Sequence, residues 1–392
     1  MARRLRCYDC GNAYDCKDRT RCSCGEPLWF DVDAAGFEWP NEPRSAGMWR
    51  YRDVLPVRNG DGPVPGPTPL VRADRLDEYA GCRLSLKHEG VNPTGSFKDR
   101  GTAVGVAAAV DAGDEWIGTV SHGNMALSTS AYAAAAGLDC AVFVPADTPP
   151  ERLKLIARHD PCIFRVDGDY GQLYADTLDL DTEVTFVNSD TPLRVAGQKT
   201  IAYEILERTA PSAPDAIALP VSSGGHASAV WKALRELETA GLIDSIPRLY
   251  FVQAAACDPV ATAYREERKD VTPVTADETI AVSIANGDPP SGTRALAAAR
   301  STGGAVVSVP DGETRAAMER LASAVGISVE PSSAVALAGV RVLSRRGEVD
   351  AADEVVTVLT GSGYKERYGA DADARRIDID ALGDELADTV DP

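Results

Sequence analysis

The chain is short of lysine. Only eight of its forty basic residues are lysine, at 17, 87, 98, 154, 199, 232, 269 and 365; the other thirty-two are arginine. It is short of positive charge as a whole, since fifty-nine carboxylates leave a net charge of −19 and a pI near 4.7. A field of that sign repels nucleic acid and anionic membranes. Basic patches interleaved with aromatics are also missing, which argues against a nucleic-acid partner. Acidic excess with few lysines suits a cytoplasm at very high salt, where screening removes most of the self-repulsion. A halophilic, haloarchaeal source is the expectation, with an acidic protein of ordinary origin as the alternative. No run approaches the roughly 18 apolar residues that span a bilayer. The basic start "MARRLRCYDC" has no apolar stretch behind it, so a cytoplasmic location is expected. Four signatures are absent: G-x-G-x-x-G, the P-loop Gly-Lys-Ser/Thr, the G-x-S-x-G elbow and H-E-x-x-H. Their absence sets aside a dinucleotide fold, a P-loop nucleotidase, an α/β-hydrolase and a zinc-helix protease.

What is present is a long alternation of apolar strands and helices. A chain of 392 residues exceeds one small core, so two domains and a small appendage are expected. Strand patterns at 83–89, 116–121, 139–145, 162–168, 184–188, 216–221, 247–254, 304–309 and 354–361 are interleaved with helical ones. The helical patterns fall at 99–113, 124–137, 149–160, 195–209, 225–241, 311–326 and 333–347. Apolar strands in such an order mean parallel sheets covered on both faces. The acidic tail after about residue 370 reads as a short helix or a solvated end.

In doubly wound sheets, ligands sit over the C-terminal strand ends and helix N-termini. Four such junctions carry unusual residues. In "HEGVNPTGSFKDRG", Lys98 opens a helix after a glycine turn. The helix's positive end and partial desolvation would lower its pKa, as a Schiff-base lysine needs; alone, it would read as a first-turn surface lysine. "SHGNMALS" places Ser121, His122, Gly123 and Asn124 at a second helix start, where ordinary capping is the plain alternative. "PVSSGGHASAV" offers Ser222, Ser223, Gly224, Gly225 and His226 as a phosphate cradle of backbone N–H groups and hydroxyls. "VLTGSGYKE" puts the neutral hydroxyl of Thr360 at a strand end before Gly361 and Gly363; its plain reading is a turn.

A lysine, a phosphate cradle, an amide and a hydroxyl together describe a holder for pyridoxal 5'-phosphate. On "HEGVNPTGSFKDRG", "FVNSDTPLRVAGQKT", "VEPSSAVALAG" and "VLTGSGYK", which occur in order, the chain resembles the threonine synthases. These belong to the fold-type II pyridoxal-phosphate enzymes, with tryptophan synthase β and cysteine synthase. The resemblance implies an α/β fold of two open, twisted, mostly parallel sheets with a small N-terminal zinc-ribbon-like unit. The expected division is 1–45 for that unit, 46–102 with 201–392 for a large cofactor domain, and 103–200 for a small mobile domain whose closure excludes water. It implies Lys98 as the residue joined to the cofactor aldehyde and as proton carrier. Asn124 would meet the phenolic oxygen, Ser222 to His226 the cofactor phosphate, and Thr360 the pyridine nitrogen. Asn188, Ser189 and Arg194 would bind the substrate's phosphoryl group, with Lys87 as a further cation and Ser121 and His122 beside the substrate. The implied reaction converts O-phospho-L-homoserine and water to L-threonine and phosphate, in a homodimer acting on a small amino acid.

Two stretches depart from the family pattern. The phosphate loop is "SSGGH" rather than a Gly-Asn-rich run, and "SHGN" stands where the family has "SSGN" or "STGN". Both put the substrate in question. The alternatives are a cysteate or cysteine synthase, a serine/threonine ammonia-lyase, or a non-catalytic paralogue acting as a binding module. Separately, Cys7-x2-Cys10 and Cys22-x-Cys24 form two knuckles that suit a structural, tetrahedral zinc. The C-x-C spacing is less specific than C-x2-C. Cys16 is a spare or substitute ligand, and a degenerate ribbon without metal is the alternative.

Overall fold

The computed structural model describes residues 4–16, 19–60, 62–121, 123–168, 170–365, 374 and 376–390. Among these, no helix is long and apolar enough to cross a membrane. Three sheets organise the chain. The first is an antiparallel ribbon of β1 (Arg4–Cys7), β2 (Ala13–Asp15) and β3 (Leu28–Phe30) in the order β2-β1-β3. The largest contains β4 (Leu70–Arg72) and β5 (Arg83–His88). The third comprises β6 (Trp116–Val120), β7 (Asp139–Pro145), β8 (Cys162–Val166) and β9 (Val184–Phe186) in the order β8-β7-β6-β9, all parallel. The large sheet is completed by β10 (Ala216–Pro220), β11 (Arg248–Ala254), β12 (Ala305–Val309) and β13 (Glu354–Leu359). Its order is β12-β11-β10-β13-β5-β4, parallel except for the edge strand β4.

The strand chemistry explains the layering. In β10, Ile217 and Leu219 enter one core with Val230, Leu234 and Ile201, while Ala216 and Ala218 face the other with Val335 and Leu337. Period-two alternation thus feeds two covered faces, and every residue of β10 is buried. The face with small residues admits a close helix. At Gly339 in the helix Pro331–Arg345, a Cβ would lie 2.3 Å from Val252 Cγ2, so a side chain there would push the helix off the sheet.

The order of the expected elements holds, with shifted ends. The pattern at 195–209 divides into helices Pro192–Gln198 and Thr200–Thr209, where the Thr200 hydroxyl donates to the Gly197 carbonyl at 2.7 Å. The helix Lys98–Ala112 straddles the expected border at 102/103. Strand β4 and the helices Tyr170–Asp179, Pro259–Arg265 and Gly292–Ser301 were not expected. The tail does form a helix, Leu382–Val390. The ribbon packs on the helix Gly225–Thr239: Trp29 donates from Nε1 to Ser228 Oγ at 2.8 Å and meets Trp231 edge-on at 5.4 Å.

A closed ion cluster lies beneath the Lys98 helix. Arg100 is fully buried and donates to both carboxylate oxygens of Glu89 (2.7 and 2.8 Å) and of Glu204 (2.6 and 2.9 Å). Lys87 donates to Glu204 at 2.5 Å and to the Thr68 carbonyl at 2.9 Å. Thr68 and Asn92 supply two more donors to Glu89, at 2.6 and 2.8 Å. Two cations meet two carboxylates, with the remaining lone pairs hydrogen-bonded, as burial of charge requires. Removing one partner strands the others. Glu204→Gln is expected to lower the unfolding free energy by ~3–5 kcal/mol, read as a reduced urea midpoint at unchanged slope. A change within about 0.5 kcal/mol would show that the cluster does not hold the fold together.

Candidate active site

Five strand-to-helix or strand-to-loop junctions converge. The C-terminal ends of β5, β10 and β13 contribute the 89–97 turn, the 221–224 turn and Thr360; those of β6 and β9 contribute Ser121, Gly123 and Asn124, and the 187–191 loop with Arg194 on the helix that follows. The first and third are stitched directly. The Phe97 N–H donates to the Thr360 carbonyl at 3.0 Å, and the Ser362 N–H donates to that of Gly95 at 2.9 Å.

Lys98 stands at the first position of its 15-residue helix. Its amine makes no hydrogen bond or ion pair with a described residue and sits 4.7 Å from the centre of the Phe97 ring. Burial, aided by the nearby Arg194 guanidinium, pulls its pKa down to about 7, against the opposing pull of Glu330. The other side of the site begins at the same ring. His226 stacks on Phe97 at 4.4 Å with an interplanar angle of 25°. Both of its ring nitrogens are buried without a hydrogen-bond partner, and burial holds its pKa down to about 3, so the imidazole is neutral. One aromatic ring therefore joins the lysine to the glycine turn.

That turn is tight by necessity. Gly224 has φ +83°, and a Cβ there would fall 2.3 Å from the Ser291 carbonyl; at Gly225 it would fall 2.6 Å from that of Ser189. Ser223 is buried, and Ser222 is partly so. The turn opens the helix Gly225–Thr239, whose first-turn N–H groups have no acceptor within the helix and so favour an anion.

Asn124 opens the helix Asn124–Ala136 and is oriented at both ends of its amide. Nδ2 donates to both oxygens of Glu330 (3.0 and 2.8 Å), and Oδ1 accepts from Lys365 Nζ. Thr360 is buried, with a hydroxyl that hydrogen-bonds to no described residue. Ser121 accepts from the Gly123 N–H at 3.2 Å, which is the plain turn-capping role. His122 lies outside the described residues.

The phosphoryl candidates separate. Arg194 is fully buried and reaches Thr102 Oγ1 at 3.0 Å and the Lys98 carbonyl at 3.5 Å. Its Nε has no partner, and burial lowers its pKa to about 9. It is a guanidinium beside Lys98 without a carboxylate within ion-pair distance among the described residues. Ser189 is partly exposed next to the glycine turn. Asn188 locks β9's exit to β6: its Oδ1 accepts from the Val120 N–H at 2.9 Å and its Nδ2 donates to Thr177 at 2.8 Å. Lys87 is corrected outright, since it is fully buried in the Glu204 cluster and has no charge to spare for a ligand. Three residues at the site were given no role from the sequence: Phe97, Glu330 and Lys365. All lie inside quoted motifs, but only the fold shows that they meet Lys98, His226 and Asn124.

A second constellation is the cysteine quartet. The sulfurs of Cys7, Cys10, Cys22 and Cys24 lie within 4.8 Å of one another, with separations of 3.5, 3.7 and 3.8 Å for three of the pairs. Tetrahedral zinc at Zn–S of about 2.3 Å sets sulfur separations near ~3.8 Å, so the donor set fits that ion. Cys16 stands outside the quartet.

Comparisons with known proteins identify the family. The family described as "Pyridoxal-phosphate dependent enzyme" matches residues 63–361. Threonine synthase of Methanocaldococcus jannaschii is 36% identical over 378 residues, covering 92% of each chain. That of Mycobacterium tuberculosis is 38% identical over 337 residues, covering 83% of this chain and 90% of the other. Among solved structures, a fungal L-serine ammonia-lyase from Rhizomucor miehei superposes with a TM-score of 0.65 at 22% identity, over 76% of this chain and 94% of that one. Maize serine racemase gives 0.64 at 21%, over 82% and 92%. At these identities the superpositions speak for the fold.

A depressed lysine has a direct signature. Because the folded value lies below the ordinary 10.5, the amine is neutral and nucleophilic above about pH 7. In cofactor-free protein, reductive trapping of an aldehyde at Lys98 should rise through pH 7 and then level off. The exposed lysines should keep gaining rate toward pH 10. Peptide mass mapping reads this, and a Lys98 rate that climbs in step with the other lysines would refute the assignment.

Proposed function

Because the chain belongs to the pyridoxal-phosphate dependent enzyme family, we propose that it acts as a threonine synthase, converting O-phospho-L-homoserine and water to L-threonine and phosphate. The observation that carries this reading is the amine of Lys98, unpaired among the described residues, set between a helix N-terminus with a glycine cradle and a buried guanidinium that meets no carboxylate among them. The residues present fit the cofactor: an amine for its aldehyde, backbone N–H groups and the single N–H of a partnerless neutral imidazole for its phosphate, an amide and a neutral hydroxyl for its ring. When bound, pyridoxal phosphate supplies an electron sink that stabilises negative charge on the substrate carbons next to the amine.

The chain's own part is binding, orientation and proton transfer. Ser222, Ser223, Gly224, Gly225 and His226 would hold the cofactor phosphate. Asn124, held by Glu330 and Lys365, would meet the phenolic oxygen, and Thr360 would meet the ring nitrogen. A neutral hydroxyl there would leave the ring less electron-withdrawing than a carboxylate partner would, which favours elimination and replacement over transamination. Lys98, neutral near pH 7, takes the proton from Cα and later one from Cβ, and a pKa near the working pH serves both acceptance and return. Arg194 and Ser189 receive the phosphoryl group, and the dianion supplies the charge that Arg194 lacks. The four-stranded sheet and its helices would close over the substrate and exclude water.

In the same reading, Cys7, Cys10, Cys22 and Cys24 hold a structural zinc, since four thiolates leave no open position for chemistry. The net charge of −19 supports a protein adapted to high salt.

Two measurements test these roles. On cofactor-loaded protein at high salt, phosphate should be released from O-phospho-L-homoserine with threonine formed, and Lys98→Ala should lose at least about a hundredfold in kcat. Keto acid appearing from serine or threonine without phosphate release would move the reading to an ammonia-lyase. For the metal, purified protein should hold one zinc per chain, lost in Cys10→Ser. A metal-free wild type, pure and fully reduced, would remove the zinc.

A further inference from the structure

The ribbon does more than cover the helix Gly225–Thr239. Arg21, the residue immediately before Cys22, points away from the cysteines and into the body of the protein. Its Nη2 donates to Asp190 Oδ2 at 2.8 Å and lies 3.5 Å from the Tyr174 hydroxyl; its Nη1 donates to the Pro290 carbonyl at 2.9 Å. Asp190 is 3% exposed and accepts two further hydrogen bonds, from the Tyr174 hydroxyl on Oδ1 and from the Ser291 hydroxyl at 2.9 Å on Oδ2. Both of Arg21's targets adjoin the glycine turn. The Ser291 N–H donates to the Ser223 carbonyl at 2.8 Å, and the Ser291 carbonyl is the atom that forbids a Cβ at Gly224. On the other flank, the Ser189 carbonyl and Asp190 Cα crowd the Cβ position of Gly225 at 2.6 and 3.2 Å. A second strut runs parallel to the first: Arg294 donates to Ser291 Oγ at 2.9 Å and to the Pro27 carbonyl of the ribbon at 3.3 Å.

We propose that Arg21 is a positioning residue through which the cysteine knuckle sets the shape of the phosphate cradle, so that the order of the ribbon, and with it metal occupancy, controls affinity for the phosphate-bearing cofactor. The proposal rests on the reading of 222–226 as the cofactor-phosphate site and of the quartet as a metal site. Its physical basis is geometric. Backbone N–H groups grip a phosphate only if the turn keeps its shape, and Ser291 and Ser189–Asp190 hold the turn from both sides. The guanidinium fork fastens both flanks at once, one through a charge-assisted bond to a buried carboxylate and the other through a carbonyl. Cys22 fixes where that fork starts. Loss of such an outer contact costs about 10–100-fold in ligand affinity.

The test compares two ligands that differ only in the phosphate. Pyridoxal phosphate and pyridoxal are titrated into wild type, Arg21→Met and Arg21→Lys by absorbance, with the 31P resonance of the bound cofactor as a second readout. Arg21→Met should weaken pyridoxal phosphate by about 10–100-fold, shift or broaden the 31P line, and leave pyridoxal unchanged. Arg21→Lys keeps the charge but not the fork, and should fall between. Stripping zinc from the wild type should reproduce the Met variant and add nothing to it. Equal loss for both ligands, or no loss for either, overturns the proposal. If Arg21→Met does not fold, Arg21→Lys with the zinc-stripped wild type decides by the same ratio. If wild type binds neither ligand, the cofactor reading itself has failed, which is a different result.

Discussion

The bidentate clamp of Arg100 on Glu89 and Glu204 is the contact on which the site depends. It ties the end of β5, the first turn of the Lys98 helix and the helix Thr200–Thr209 into one charge-balanced cluster out of reach of water. Lys98 is two residues from Arg100. Its amine holds its direction because the backbone beneath it cannot turn without breaking buried ion pairs. A lysine used as a nucleophile must be both neutral and aimed, and here burial does the first while the Arg100 cluster does the second.

Charge in this protein is distributed with a purpose. The chain as a whole carries −19, yet the site gathers Lys98, Arg194 and Lys365 against Glu330, with a neutral His226 stacked on Phe97. The buried cations that have partners, Lys87 and Arg100, build the scaffold. Arg194, which hydrogen-bonds to neutral groups but pairs with no carboxylate among the described residues, is left for an anion, because a buried guanidinium without a counter-charge is costly until one arrives. The same scaffold logic extends outward, since Arg21 and Arg294 carry the ribbon's position to the two backbone segments that shape the glycine turn.

Much of this was legible in order along the chain. Alternating strands and helices, the lysine at a helix start and the glycine turn are local patterns that fall at the junctions expected of them, and the spaced cysteines gather in the N-terminal ribbon. Local patterns could not say which cation is at liberty. Lys87 and Lys98 look equally available in "LKHEGVNPTGSFK", but the partner that occupies Lys87 is Glu204, 117 positions away. Nor could those patterns show that the Asn188 amide joins the Val120 N–H to Thr177. Glu330 was visible only as a letter in a motif until Asn124, 206 positions distant, was found against it.

The sequence by itself determined the parallel architecture and the residue types gathered at its strand ends, because hydrophobic period and turn chemistry act between near neighbours. The tertiary structure alone decided which of those residues are spent on holding the fold and which remain for a ligand. That division depends on which charges and donors, distant in the chain, come within hydrogen-bond reach once water is excluded.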